Sequence, residues 1–189
     1  MRAILLLLLA LAAHAFGPAD VLAAPPPPRP YSGLGVLALH QVPEGERTPV
    51  PVFQEPGLQR IAEPELGELP RLAGDPQQPL VAVHATRGGW LRIAYDEAGR
   101  EGWLQPSRGW QYRPWDEFLP GRLVRVLPGM KKPLYLLKGE PREAGPDLGV
   151  LSRDQQVRVI RIAEDWALLQ TPAGWFRWRD GDGRLTVSP

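Results

Sequence analysis

The chain has no cysteine, which excludes disulfide staples, thiolate nucleophiles and cysteine-ligated metal centres together. It has almost no net charge: 22 Lys and Arg against 21 Asp and Glu leave +1. Nucleic-acid binding normally brings a basic excess and a recognisable reading element, so no nucleic-acid partner is expected. Beyond the first 24 residues only His40 and His84 supply imidazole, a poor metal set, and neither metal nor cofactor is expected. Uninterrupted helical periodicity is also missing there, because 23 prolines and 20 glycines punctuate the 189 residues. The apolar run at residues 4–13 falls short of the roughly 20 residues a bilayer span requires.

What is present begins with an address. Arg2 precedes the apolar run, and small-residue cleavage positions follow after Ala15 and after Ala23. Residues 1–24 therefore read as an export signal, with an uncleaved anchor as the alternative. The expected location is periplasmic or extracellular, with no stable membrane span once the signal is removed. Residues 25–34 form a proline-rich linker whose Pro-Pro-Pro-Pro-Arg-Pro core at 25–30 favours extended polyproline.

The rest of the chain repeats itself. Pro51-Val52-Phe53, Gly57 and Pro64-Glu65-Leu66-Gly67 recur at equal intervals as Pro133-Leu134-Tyr135, Gly139 and Pro146-Asp147-Leu148-Gly149. A second block, Val81-Ala82-Val83 leading to Trp90-Leu91-Arg92-Ile93, recurs as Val157-Arg158-Val159 leading to Trp166-Ala167-Leu168-Leu169. Gly102-Trp103-Leu104 and Gly174-Trp175-Phe176 close the two copies. Duplication predicts two small units of one kind, residues 35–119 and 120–189. Each is near the lower size limit for a core without staples. The seven tryptophans, all between Trp90 and Trp178, are positioned to compensate.

Short apolar runs separated by Pro-Gly, Asp and Gly turns predict strands near 36–39, 50–53, 80–84, 90–95 and 102–104. The second set falls near 123–127, 134–137, 156–162, 166–171 and 174–178. The fold class is thus all-β, two tandem small barrels behind the leader. Residues 108–119 carry Trp110, Tyr112, Trp115 and Phe118, too aromatic for a free linker, and are expected to pack between the units. Acidic residues dominate 44–75 and basic ones 122–142, which read as solvated loops or as a docking contact between the copies.

These motifs resemble the bacterial SH3-like (SH3b) domain family. The resemblance rests on Val81-Ala82-Val83, Gly89-Trp90-Leu91-Arg92-Ile93 and Gly102-Trp103-Leu104, with Val157-Arg158-Val159, Asp165-Trp166-Ala167-Leu168-Leu169 and Gly174-Trp175-Phe176 as the second copy. It implies two tandem SH3-like barrels in an exported, non-catalytic module, of the kind that binds cell wall or protein. The family's common Val-Arg-Ser-Gly-Pro-Ser stretch is absent, and Phe53-Gln54-Glu55-Pro56-Gly57 and Tyr135-Leu136-Leu137-Lys138-Gly139 stand in that region.

Strand alternation supplies an independent argument about sites. Leu91 and Ile93 share one face, Trp90 and Arg92 the other, and Ala167 and Leu169 oppose Trp166 in the same way. Leu104 and Phe176 turn inward, leaving Trp103 and Trp175 outside. The candidate ligand-binding residues are therefore Trp90, Arg92, Trp103 and Phe53, with Trp166, Trp175 and Tyr135 in the second copy. The bland alternative has these rings covering barrel ends. No catalytic residues are expected, since no serine sits in a nucleophile-elbow setting and Asp180-Gly181-Asp182-Gly183 reads as a hairpin turn. The expected ligand is a peptidoglycan peptide or an envelope-protein segment. The alternative is a structural or assembly subunit whose aromatic faces are buried at interfaces.

Overall fold

The computed structural model describes residues 32–39, 47–72 and 79–189. The leader, the proline run, His40, Glu44, Glu46 and Asp75 lie outside the described residues. Strands appear in the order β1 (Gly35–Ala38), β2 (Val52–Phe53), β3 (Arg60–Ala62), β4 (Leu80–Arg87), β5 (Trp90–Ala94), β6 (Glu101–Leu104) and β7 (Gln111–Pro114). One helical turn, α1 (Trp115–Phe118), follows. Then come β8 (Leu123–Val126), β9 (Leu136–Lys138), β10 (Asp147–Val150), β11 (Gln156–Ala163), β12 (Trp166–Leu169), β13 (Gly174–Arg177) and β14 (Val187–Ser188). The 3-10 turns Leu66–Glu68 and Lys132–Tyr135 complete the described elements.

These strands form two seven-stranded antiparallel sheets, ordered β3-β2-β6-β5-β4-β1-β7 and β10-β9-β13-β12-β11-β8-β14. Adding seven to every label of the first order produces the second. The long strands β4 and β11 each pair with two neighbours on either side of a register shift. Residues 80–83 of β4 pair with β1, whereas pairing with β5 starts at Val83 and shifts register between Val83 and Ala85. In β11 the same shift falls between Val159 and Arg161, after the stretch that pairs with β8. A bulge bends its strand and raises the twist, so one strand serves two differently tilted halves. The entry to each sheet repeats too: Leu34 N–H donates to Val83 O (2.7 Å), and Gly121 N–H to Val159 O (2.8 Å).

The first sequence block does not survive this superposition. Phe53 faces Trp103, and the residue facing Trp175 is Lys138, three positions beyond Tyr135. Glycine packing gives the same register. A Cβ on Gly102 would run into the Val52 side chain, and one on Gly174 would lie 2.6 Å from Leu137 Cγ. Val52 and Leu137 are thus counterparts. Pro64-Glu65-Leu66-Gly67 leads into a 3-10 turn, while the equally spaced Asp147-Leu148-Gly149 lies in strand β10. Residues 134–135, expected in a strand, belong to a 3-10 turn with proline near its start, where a fixed φ and a missing N–H are tolerated.

Leu37, Val81, Val83, Leu91, Ile93 and Leu104 anchor the first core, with Tyr95, Trp110 and Tyr112 packed against it. The second core, around Val124, Val157, Leu169 and Phe176, also takes in Val36 and Leu80 of the first sheet and Trp115, Phe118 and Leu119 of the connector. The aromatic segment 108–119 therefore divides its rings between two cores. Its strand β7 extends the first sheet beside β1. Arg122 covers the Phe118 ring at 3.9 Å while its Nε–H donates to the Phe118 carbonyl (3.1 Å).

Candidate functional site

Alternation puts the inward residues in the cores and leaves the tryptophans outside them. Leu104 and Phe176 belong to the two cores, whereas Trp90, Trp103, Trp166 and Trp175 belong to neither. These rings nevertheless do not form an open aromatic cleft. Five of the seven tryptophans are buried, with Trp103 at 8%, Trp166 at 6% and Trp175 at 7% exposure, and Trp90 and Trp110 are half-buried. Arginines cover them. Arg92 lies over Trp103 (5.9 Å), Arg161 over Trp175 (5.0 Å) and Arg177 over Trp166 (5.4 Å). A guanidinium over an indole stabilises by about 0.5–1 kcal/mol where exposed and more where desolvated.

In the first sheet the pairing runs Ala85–Arg92–Trp103–Phe53 across four strands. Phe53 meets Trp90 edge-on, with ring centroids 5.3 Å apart. Thus Phe53, Trp90, Arg92 and Trp103, all expected from sequence, come together on one face. Acidic partners hold the cations there. Arg92 Nε lies 3.1 Å from Glu101, which also sits 3.5 Å from His84 Nδ1, and Arg87 binds Glu55 at 2.9 Å.

The second sheet's matching row is Arg161–Leu168–Trp175–Lys138. The cation has moved one strand away, yet it still covers the same tryptophan. Lys138 is 8% exposed and pairs with Asp147. Tyr135 does not join this face. Its ring belongs to the second core, and its hydroxyl donates to Leu127 O (3.1 Å) and accepts from Met130 N–H (3.2 Å).

Trp166 instead forms a wall of a cavity of about 610 Å³ together with Arg177, Leu134, Leu185 and Met130. The size is typical of a ligand site. Arg177 is held by Glu143 at 2.6 Å. Three more lining groups, Lys131, Arg184 and Asp182, form no side-chain ion pair or hydrogen bond among the described residues. Asp180 is occupied: its Oδ1 accepts from the N–H groups of Asp182 and Arg184, both at 2.9 Å, as a turn-closing carboxylate does. Among the described residues no cluster of His, Asp or Glu has metal-binding geometry.

Of these residues, sequence reading reached Trp166 and missed Arg177, Lys131, Asp182 and Arg184. The signal for Arg177 was available, because it stands two residues after Trp175 and so shares its face. The other three, Lys131 at the start of a 3-10 turn, Asp182 in a turn and Arg184 in a bridge to Ser32, line the same cavity only through tertiary packing. No protein-family model, curated protein or solved structure matches the chain.

Proposed function

We propose that this chain is an exported, non-catalytic binding protein of two SH3-like barrels, whose second unit grips a peptide in the Trp166 cavity. The barrel reading is supported by two identical strand orders, each with one long strand bent at a bulge. Export rests on the leader pattern of residues 1–24. The observation that carries the ligand class is the cavity itself. An indole wall is joined there by charges of both signs, Lys131 and Arg184 against Asp182, with no ion-pair partner among the described residues. A peptide with free carboxylates and an amine matches that rim, and its apolar side chains lie against Trp166 and Leu185. A peptidoglycan stem peptide has this chemistry, as does a charged segment of an envelope protein.

Retention of the purified chain on peptidoglycan sacculi tests the proposal. Trp166→Ala is expected to weaken retention by about 30-fold, as for a binding hot spot. Because Trp166 is buried, the exposed pair Lys131→Glu/Arg184→Glu serves as a second variant, with an expected loss of about tenfold. Retention undiminished in both variants overturns the cavity as the site. Failure of the unaltered chain to bind sacculi, alongside capture of a peptide from an envelope protein, moves the ligand to the second class.

A further inference from the structure

A different part of the second unit presents an exposed sheet edge. β10 is the end strand of its sheet, paired with β9 on one side. All four of its residues are exposed, with Leu148 at 57% and Val150 at 69%. Natural sheet edges are usually guarded by lysine, proline or inward charge, because a bare edge recruits another chain. β10 carries neither lysine nor proline, and its Asp147 is paired with Lys138. A register shift between Asp147 and Gly149 bends it, but Val150 stays in register with Leu136 at its end.

Beside this edge lies a second cavity of about 620 Å³, walled by Tyr135, Leu136, Val150, Leu151 and Met130. Met130 is the one residue it shares with the Trp166 cavity. Its rim carries Lys132 and Arg153, both exposed and without an ion pair among the described residues. The corresponding edge of the first sheet, β3, differs in charge. Ile61 is exposed there as well, but Arg60 is paired with Glu63 at 2.9 Å. Both edges offer apolar side chains, and the second adds positive charge that has no ion pair among the described residues.

We infer that β10 is a docking edge for an extended acidic segment of a partner protein, added as an eighth strand. Main-chain hydrogen bonds to β10 hold the segment. Its side chains on one face, apolar at alternate positions, fill the cavity next to Val150 and Leu136. Carboxylates flanking them meet Lys132 and Arg153. This inference is independent of the Trp166 cavity.

Selection of displayed random ten-residue peptides against the full chain tests it. The expected enrichment is Val, Ile or Leu at alternate positions, flanked by Asp or Glu. Binding of a selected peptide, followed by fluorescence anisotropy, should weaken about tenfold or more in Lys132→Glu/Arg153→Glu. Methylating the peptide's alternate backbone nitrogens should weaken it by a similar factor of about ten, because strand addition depends on those donors. Trp166→Ala should leave it unchanged. Enrichment of basic or proline-rich peptides, affinity indifferent to charge reversal, or affinity indifferent to N-methylation overturns the inference. So does charge-dependent binding to phosphatidylglycerol vesicles with no peptide enriched, which would make the patch a lipid contact.

Discussion

Across the first sheet one outward row reads Ala85, Arg92, Trp103, Phe53; across the second it reads Arg161, Leu168, Trp175, Lys138. Strand order, bulge position and the covered tryptophan are common to both halves. The covering cation sits on β5 in one and on β11 in the other, and the aromatic at the row's end has become a buried lysine. Neighbouring strands are about 4.8 Å apart, a distance a long arginine side chain spans. The ring's environment can therefore be kept while the residue that supplies it changes. The outer chemistry differs on a shared strand order, and the cavity whose Lys131, Arg184 and Asp182 have no ion pair among the described residues belongs to the second half.

The largest expected effect comes from the feature both halves share most closely. Gly102→Ala and Gly174→Ala should each lower stability by about 1–3 kcal/mol, since the added methyl enters the space of Val52 or Leu137. Denaturant unfolding of the two variants measures this. A loss confined to one half would break the equivalence of β6 and β13.

A smaller effect concerns the moved cation. Arg161→Ala should cost about 0.5–1 kcal/mol and raise acrylamide quenching of Trp175. Adding Leu168→Arg should restore most of it, because that position holds Arg92 in the first sheet. Absence of rescue in the thermal unfolding of the double variant would mean that the two rows are not interchangeable.

The smallest effect separates the turns after β5 and β12. The Arg100 backbone N–H, together with its guanidinium, holds the Asp96 carboxyl below the usual carboxylate range. With the folded value depressed, the turn's added stability is present above the ordinary aspartate range and fades as pH falls through the lower folded value. The second half has Thr171-Pro172-Ala173 at its turn and no carboxylate to titrate. Amide NMR shifts on acidification should move for 96–100 and stay still for Thr171 and Ala173. Equal movement in both turns would remove Asp96 as the cause.

Much of the core was legible in the sequence. Alternation alone picked Ile93, Leu104, Leu169 and Phe176, each at most 1% exposed. It worked because these strands bury one face against a core, and a period of two leaves few other assignments. The edges β3, β10 and β14 escaped notice because two to four residues carry no readable period, and their conformation is imposed by the strand beside them. β7 reads as connector in the sequence because Trp110 and Tyr112 fall in one aromatic segment with Trp115 and Phe118, and only in the fold do they pack against the first core. The early repeat misled for a related reason: equal spacing of proline and glycine marks turns, whereas strand register is set by which side chains find room opposite a glycine.

The order of residues along the chain was sufficient to settle the all-β character, the duplication and the inward faces, because each follows from local period and recurrence. Tertiary structure decided whether an outward tryptophan is open or covered, and which charges stand around Trp166. Those outcomes depend on side chains distant in sequence, such as Arg161 over Trp175 and Lys131 lining one cavity with Trp166. Their meeting is fixed by strand pairing and packing across the sheet, which no local window contains.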